Sequence, residues 1–357
     1  MKKSILIIGP FPDPLHGCSL ANEVLKRGLL KREYAVEIID MATSLSEDIG
    51  SFSFKKAAYA LKNYLSIYKV FRADIIYLTP GQSFLGIVKY SLFILAARML
   101  GKEIVFHVHG NYLWQEYEKS NGIKKKLIKF LIGSSSKGIV LSPSLEKNLS
   151  PFLPRSKIFS VFNFAENYLH APSITKKFDR LRVVYLSNLM TEKGIFDLLE
   201  ALRLLKSKGV YFEAKLAGGI DPNIADRVFE NIQELGCNVR YLGLVKGIEK
   251  KELLTWGNVF VFPTYYRSEG QPIALLEAMT TGNSIITTKH AGIPDILCDQ
   301  NAFFVDIKSP EQINETLQKF EHNRKEFILK SDFNLHEAAK YTEDHYVYSI
   351  LEVVNAK

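Results

Sequence analysis

Short apolar runs recur along the chain, and most stop at a residue that turns the backbone. Val259-Phe260-Val261-Phe262 ends at Pro263, Leu181 to Leu186 runs into Ser187, and Phe212 to Ala217 stops at Gly218-Gly219. The first of these, short, β-rich and apolar without alternation, predicts a buried strand of a parallel sheet, and the other two are read as strands. Ser4 to Ile8 reads as another buried strand, and strands are also expected at Ala35 to Ile39, Asp74 to Leu78, Ile104 to Val108, Gly138 to Leu141, Ile158 to Phe162 and Val239 to Leu242. Longer stretches between them carry a helical period. One follows Ser19, which is expected to cap it, and runs to Leu30; others are Phe54 to Phe71, Asn121 to Ile132, Ile195 to Leu205 and a final Leu335 to Val354. Phe84 to Leu100, interrupted by Lys89 and Arg98, reads as one buried helix rather than a membrane span, which needs roughly 20 apolar residues. Strands alternating with helices predict an α/β protein. A length of 357 residues holds two domains, and Ala165 to Asp179, where periodicity is lost, reads as the linker between them.

The chain is organised around Val259 to Asp295. After the strand comes a polar loop, Thr264 to Gly270, holding Glu269. Pro272 opens a helix where a proline costs least, Gly282 ends it, and Ser284 to Thr287 is the next strand. Loops at the C-terminal ends of strands carry the ligand in open α/β sheets. Gly270, Gln271 and Ile273 offer backbone N–H groups at the helix start, which favours an anion such as a phosphate, whereas Pro272 has none to offer. Glu277, eight residues after Glu269, is placed to accept hydrogen bonds from ribose hydroxyls. A surface helix whose acids complement its dipole is the alternative, and spacing alone leaves both open.

Other strand ends carry polar candidates. His16-Gly17 precedes the first long helix, where Gly17 lets a phosphate or sugar approach the backbone, or simply makes a βα turn. His107-Val108-His109-Gly110 closes a strand. Its two histidines are expected to lie on opposite sides of the sheet, with His109 the site candidate. Lys193 stands just before a helix start, where the dipole opposes a cation unless an anion is held there.

Composition narrows the classes. Cys18, Cys237 and Cys298 are far apart and form no CxxC pair, so neither a zinc site nor a disulfide framework is expected and a reducing cytoplasm fits. The opening MKKSILIIGPF breaks at Gly9-Pro10 with no cleavage site after it and reads as a strand. Up to Ala165 there are 23 Lys and Arg against 12 Asp and Glu; the remainder has 23 against 26. A basic half attracts anionic lipid, nucleic acid or phosphorylated substrates. With no nucleic-acid-binding motif present, nucleic acid is the weaker expectation. Asn121 to Ile132 interleaves Lys124, Lys125, Lys126 and Lys129 with apolar residues, as a helix lying on a membrane would, or as an outer helix with a solvated basic face. GxGxxG is missing after the first strand, which argues against a dinucleotide enzyme. There is no phosphate-loop lysine motif and no DxD, so neither kinase chemistry nor a required metal is expected.

With SEGQPIALLEAM around Glu269 and Glu277 and AGIPD following, the chain resembles glycosyltransferase family 4, the retaining nucleotide-sugar enzymes with the GT-B fold. The resemblance spans nearly the whole chain. It implies two Rossmann-like domains with a cleft between them, and a C-terminal helix crossing back to the first. Residues 1–165 plus about 335–357 would bind the acceptor, 166–179 would link, and 180–334 would bind the donor. It further implies that Glu277 holds the ribose, that Glu269 lies by the donor sugar, and that His109 contacts that sugar near the reaction centre. Lys193-Gly194 match the family's diphosphate lysine, while Ser187-Asn188 stand where the family has Gly-Arg, so the bidentate clamp is replaced by Asn188. The backbone at Leu244 and Val245 would read the base. The implied reaction moves a sugar from a UDP- or GDP-sugar to a saccharide hydroxyl, with a lipid-linked acceptor of surface polysaccharide synthesis expected. It would use no metal or cofactor and proceed in the cytoplasm, at the inner face of the membrane. An epimerase or hydrolase of the same fold, or a nucleotide-binding subunit of weak activity, are the alternatives.

Overall fold

The computed structural model describes residues 2–42, 63–170 and 176–356. The first half of the expected Phe54 to Phe71 helix and the middle of the expected linker lie outside these. Within the described residues the chain divides into two compact units, residues 1–163, 268–271 and 343–357, and residues 164–267 and 272–342.

The first unit contains β1 (Ile5–Gly9), α1 (Gly17–Lys31), β2 (Val36–Asp40), α2 (Tyr68–Arg72), β3 (Ile75–Leu78), α3 (Phe84–Val88), α4 (Ser91–Met99), β4 (Glu103–Val108), α5 (Leu113–Lys119), α6 (Gly122–Gly133), β5 (Lys137–Val140) and β6 (Ile158–Ser160). The strands form one parallel six-stranded sheet in the order β2-β1-β3-β4-β5-β6. β1 and β3 are buried along their whole length, which is why they are apolar without alternation.

The second unit contains β7 (Leu181–Leu186), α7 (Ile195–Ser207), β8 (Phe212–Ala217), α8 (Ala225–Leu235), β9 (Val239–Tyr241), α9 (Gly247–Trp256), β10 (Val259–Phe262), α10 (Ile273–Thr280), β11 (Ser284–Thr288), β12 (Ala302–Val305), α11 (Pro310–His322) and α12 (Arg324–Ala338). Its six parallel strands run β12-β11-β10-β7-β8-β9. The order reverses direction between β7 and β10, and at such a switch point the loops after the strands diverge and leave room for a ligand. The last helix, α13 (Glu343–Asn355), belongs to the first unit, where Arg27 of α1 and Arg32 at its C-cap pair with Glu343 and Asp344 at 3.1 and 2.9 Å. Two parallel sheets, each flanked by helices, make this the expected α/β architecture.

Several expectations are corrected. His16, not Ser19, is the N-cap of α1. Its Nδ1 accepts the Ser19 N–H at 3.3 Å, and the Ser19 hydroxyl oxygen accepts the His16 N–H at 2.9 Å. Phe84 to Leu100 is two helices, because the Tyr90 N–H turns to the Ile87 carbonyl while its buried hydroxyl donates to the Thr79 carbonyl at 3.3 Å. Leu335 to Val354 is likewise two helices. The chain runs extended at Thr342, which bridges to Ala165, and the Tyr341 carbonyl accepts the Ala165 N–H at 2.9 Å. His107 and His109 do not point to opposite sides. Residues two apart share a face, and their rings lie 4.0 Å apart.

Candidate functional site

In the second unit, the candidate residues follow the C-terminal ends of β7, β8, β9 and β10. Gly218, after β8, holds three of these ends together. Its N–H donates to the Gly243 carbonyl at 2.8 Å, and its carbonyl accepts the Tyr241 hydroxyl at 2.7 Å. Its φ of +136° is open to glycine, and a Cβ there would lie 1.8 Å from the Ser187 carbonyl oxygen. Asn188 is exposed at the end of β7, and Leu244 is 69% exposed at the end of β9, with Val245 half-buried beside it.

Lys193 sits in the turn before α7. That turn is tied to the loop after β10, because the Tyr265 N–H donates to the Glu192 carbonyl at 2.8 Å. The Lys193 ammonium lies over the rings of Tyr266 at 4.8 Å and Phe262 at 5.4 Å. Aromatic faces steer a cation without neutralising it.

Every residue of α10 except Ala274 is buried, which excludes the surface-helix alternative. Pro272 is its N-cap, and the helix start carries no side-chain cap. Ile273 begins the helix and is 9% exposed. Glu277 is 3% exposed, and Lys250 of α9 donates to its Oε1 at 2.6 Å. The same ammonium donates to Oε2 of Glu166 at 2.5 Å, and the Tyr168 hydroxyl donates to that oxygen at 3.2 Å. Burial raises the Glu277 carboxyl above its usual range, and Lys250 pulls it back. For Lys250 burial opposes the charge, but Glu277 and Glu166 outweigh it and hold the ammonium protonated. Sequence reasoning missed Lys250 and Glu166. They lie 27 and 111 positions from Glu277, and nothing local marks either.

The first unit holds the remaining candidates. His109 follows β4. Burial pushes its imidazole down to about 3, with His16 adding to the effect, and burial likewise lowers His107. His109 is therefore neutral at physiological pH. An unfolded chain takes up this proton near pH 6.5, so the stability contributed by the neutral ring is complete above that value and is lost as pH falls from there towards about 3. The Tyr77 hydroxyl and His107 Nδ1 are 2.5 Å apart, while Nε2 of His109 is buried without a hydrogen-bond partner among the described residues. Residues 268–271 belong to this unit and run beside the β4 end. A Cβ at Gly270 would lie 2.7 Å from the His109 carbonyl oxygen, so only glycine passes there. Glu269, 7% exposed, precedes this close approach by one residue. The Gln271 side chain is committed inside this unit. Its Oε1 accepts the Asn163 N–H at 2.6 Å and its Nε2 donates to the Leu141 carbonyl at 3.3 Å, so its part in any ligand site falls to the backbone. Gly17 is exposed as the first residue of α1. Among the described residues no group of three or more His, Cys, Asp or Glu could hold a metal ion, and no helix is long and apolar enough to cross a membrane.

Comparison with known proteins bears on this arrangement. The family described as "Glycosyl transferases group 1" matches residues 170–340. An amylovoran biosynthesis glycosyltransferase, AmsK, of Erwinia amylovora is 29% identical over 121 residues, covering 33% of this chain and 30% of that protein. The chain spans half or less of the length of the curated relatives it matches. Among solved structures, a glycosyltransferase from Rickettsia africae superposes with a TM-score of 0.74 at 16% identity, covering 100% of both chains. The Anabaena protein Alr3699/HepE, in complex with UDP and glucose, gives 0.73 at 15% identity and covers 99% of this chain and 100% of its own. These two likenesses establish the fold.

Proposed function

We propose, from the premise that this chain belongs to the group 1 glycosyl transferases, that it moves a sugar from a UDP- or GDP-sugar to a hydroxyl of a saccharide, with retention of configuration. The observation that carries the reading is the buried Glu277 on α10, paired with Lys250 at 2.6 Å in the same unit as Lys193. Glu277 accepts the ribose hydroxyls. The backbone at Gly270, Gln271 and Ile273, with Lys193, takes the diphosphate, and Asn188, Leu244 and Val245 line the nucleoside. UDP is the favoured donor nucleotide, since a protein of the same fold is known with UDP and glucose bound.

The bond from the anomeric carbon to the diphosphate breaks, and Lys193 stabilises the departing charge. The acceptor oxygen bonds the anomeric carbon on the same face, and its proton passes to a diphosphate oxygen. No carboxylate is required as a covalent nucleophile. Neutral His109 and Glu269 orient the sugar hydroxyls, and Nε2 of His109 is the buried atom such a hydroxyl would satisfy. Exposed Asn188, standing where the family has arginine, favours a second reading, a nucleotide-binding subunit of weak activity. Thermal shift with UDP, GDP and their sugar conjugates separates nucleotide binders from non-binders, because a ligand of the native state raises the melting temperature. A shift with one nucleotide, followed by transfer giving a product of unchanged anomeric form, is the expected result. Binding without transfer favours the second reading, and hydrolysis or epimerisation of donor alone favours an enzyme acting on the nucleotide sugar itself.

The acceptor is proposed to be lipid-linked and reached at an anionic membrane surface. α6 exposes Ile123 (84%) and Phe130 (45%) beside Lys124, Lys126 and Lys129. The adjacent α4 exposes Leu92 and Met99. Exposed apolar residues set among lysines suit a headgroup layer. Co-sedimentation with vesicles containing anionic lipid is expected, and a Lys126→Ala/Lys129→Ala double variant should bind about 30-fold more weakly. Equal binding to neutral vesicles would remove the electrostatic part of this reading.

A further inference from the structure

Lys250 is buried in the second unit between two carboxylates, at 2.6 Å from Glu277 and 2.5 Å from Glu166. The three side chains are only 8%, 4% and 17% exposed. An ion cluster this dry adds little net stability, since apolar side chains of the same size would pack as well without desolvation. Its presence is better explained by what it does to Glu277. A carboxylate accepts hydrogen bonds at both oxygens, whereas a protonated carboxyl must donate at one of them. Without a cation, Glu277 would face the Glu166 charge in an apolar setting, and both effects favour taking up a proton.

We propose that Lys250 is a positioning residue for the donor nucleotide, holding Glu277 ionised and aimed so that both ribose hydroxyls of a nucleoside diphosphate can donate to it. This rests on the reading of Glu277 as the ribose acceptor. Glu166 is the second anchor. It fixes the lysine from the segment just after Asn163, where the chain enters the second unit, and the Tyr168 hydroxyl fixes Glu166 in turn. These are the groups that face the cluster: Lys250 from α9, Glu277 from α10, and Glu166 with Tyr168 from the segment before β7. Gly247 to Trp256 thus contributes to nucleotide binding without touching the nucleotide.

The test is calorimetric titration of UDP-glucose, with GDP-mannose beside it, between pH 6 and 8.5. These conjugates carry no phosphate group that titrates near neutrality, so any pH dependence belongs to the protein. Wild type is expected to bind one of them with an affinity that does not change across this range. Lys250→Met is expected to bind on the order of 30-fold more weakly at pH 7. Its affinity should recover as pH rises and Glu277 ionises, a dependence that loss of folding stability alone would not create. Lys250→Arg, which keeps the charge, should keep the flat profile. Glu166→Gln leaves Lys250 to Glu277 alone and should bind within about threefold of wild type even if its melting temperature falls, which guards against a Met variant that does not fold. The proposal is overturned if Lys250→Met binds as wild type does with a flat profile, or if Glu166→Gln loses as much affinity as Glu277→Gln. If wild type binds neither conjugate, the reading of Glu277 fails, and this inference with it. If Glu277→Gln alone weakens binding, that reading stands and only the role of Lys250 is refuted.

Discussion

Lys193→Ala is expected to lower kcat/KM for sugar transfer by about a thousandfold, with most of the loss in kcat. The lysine sits in the turn before α7 with its ammonium over the Tyr266 and Phe262 rings, tethered to the loop after β10. The diphosphate gains charge as the sugar leaves, so a cation fixed beside it is felt more in the transition state than in the bound donor. On the resemblance to family 4, Asn188 stands where a second base is expected, so less would remain to compensate. The check is steady-state kinetics with the donor identified by thermal shift, set against nucleotide affinity by titration. A loss confined to KM would mean that Lys193 binds donor and transition state alike. Lys193→Arg is expected to restore only part of the rate, since a planar fork does not fit a place shaped for a point charge.

Gly218→Ala is expected to destabilise the protein by about 4 kcal/mol and to abolish nucleotide binding. The added methyl would sit 1.8 Å from the Ser187 carbonyl oxygen, and side chains cannot move aside to relieve a clash with backbone. The φ of +136° adds strain of its own. Relaxation must shift the end of β8 away from β7 and β9, breaking the 2.8 Å bond to Gly243 and the 2.7 Å bond from Tyr241. Asn188 and Leu244 follow these strand ends directly, so binding should fail with stability. Urea unfolding gives the first quantity and nucleotide titration the second. An unchanged midpoint would show that the close approach of Ser187 and Gly218 is not needed by the fold.

Much of the fold is legible in the chain. β7, β8 and β10 begin and end at the expected residues, because a turn residue follows each; β10, buried on both faces, is an unbroken apolar run, whereas Arg182 interrupts β7 and Glu213 and Lys215 alternate with apolar residues in β8. The place of Lys193 before a helix and of Glu277 within one also follows from local pattern. Helix ends are less legible. The break at Tyr90 comes from its hydroxyl reaching Thr79, and the break before α13 from Ala165 bonding to Tyr341, partners remote in sequence. His107 in β4 and His109 just after it lie on one side, since residues two apart share a face.

The sequence by itself determined the strands, the alternation that makes an α/β protein, and the Glu269 and Glu277 motif, since all of these are encoded within a few consecutive residues. Only the tertiary structure decided which groups surround Glu277. A buried carboxylate takes its charge and direction from whatever the fold packs against it, and here that is Lys250 from α9 and, behind it, Glu166. Coulombic and hydrogen-bond energies depend on distance in space, and no periodicity along a chain records that distance.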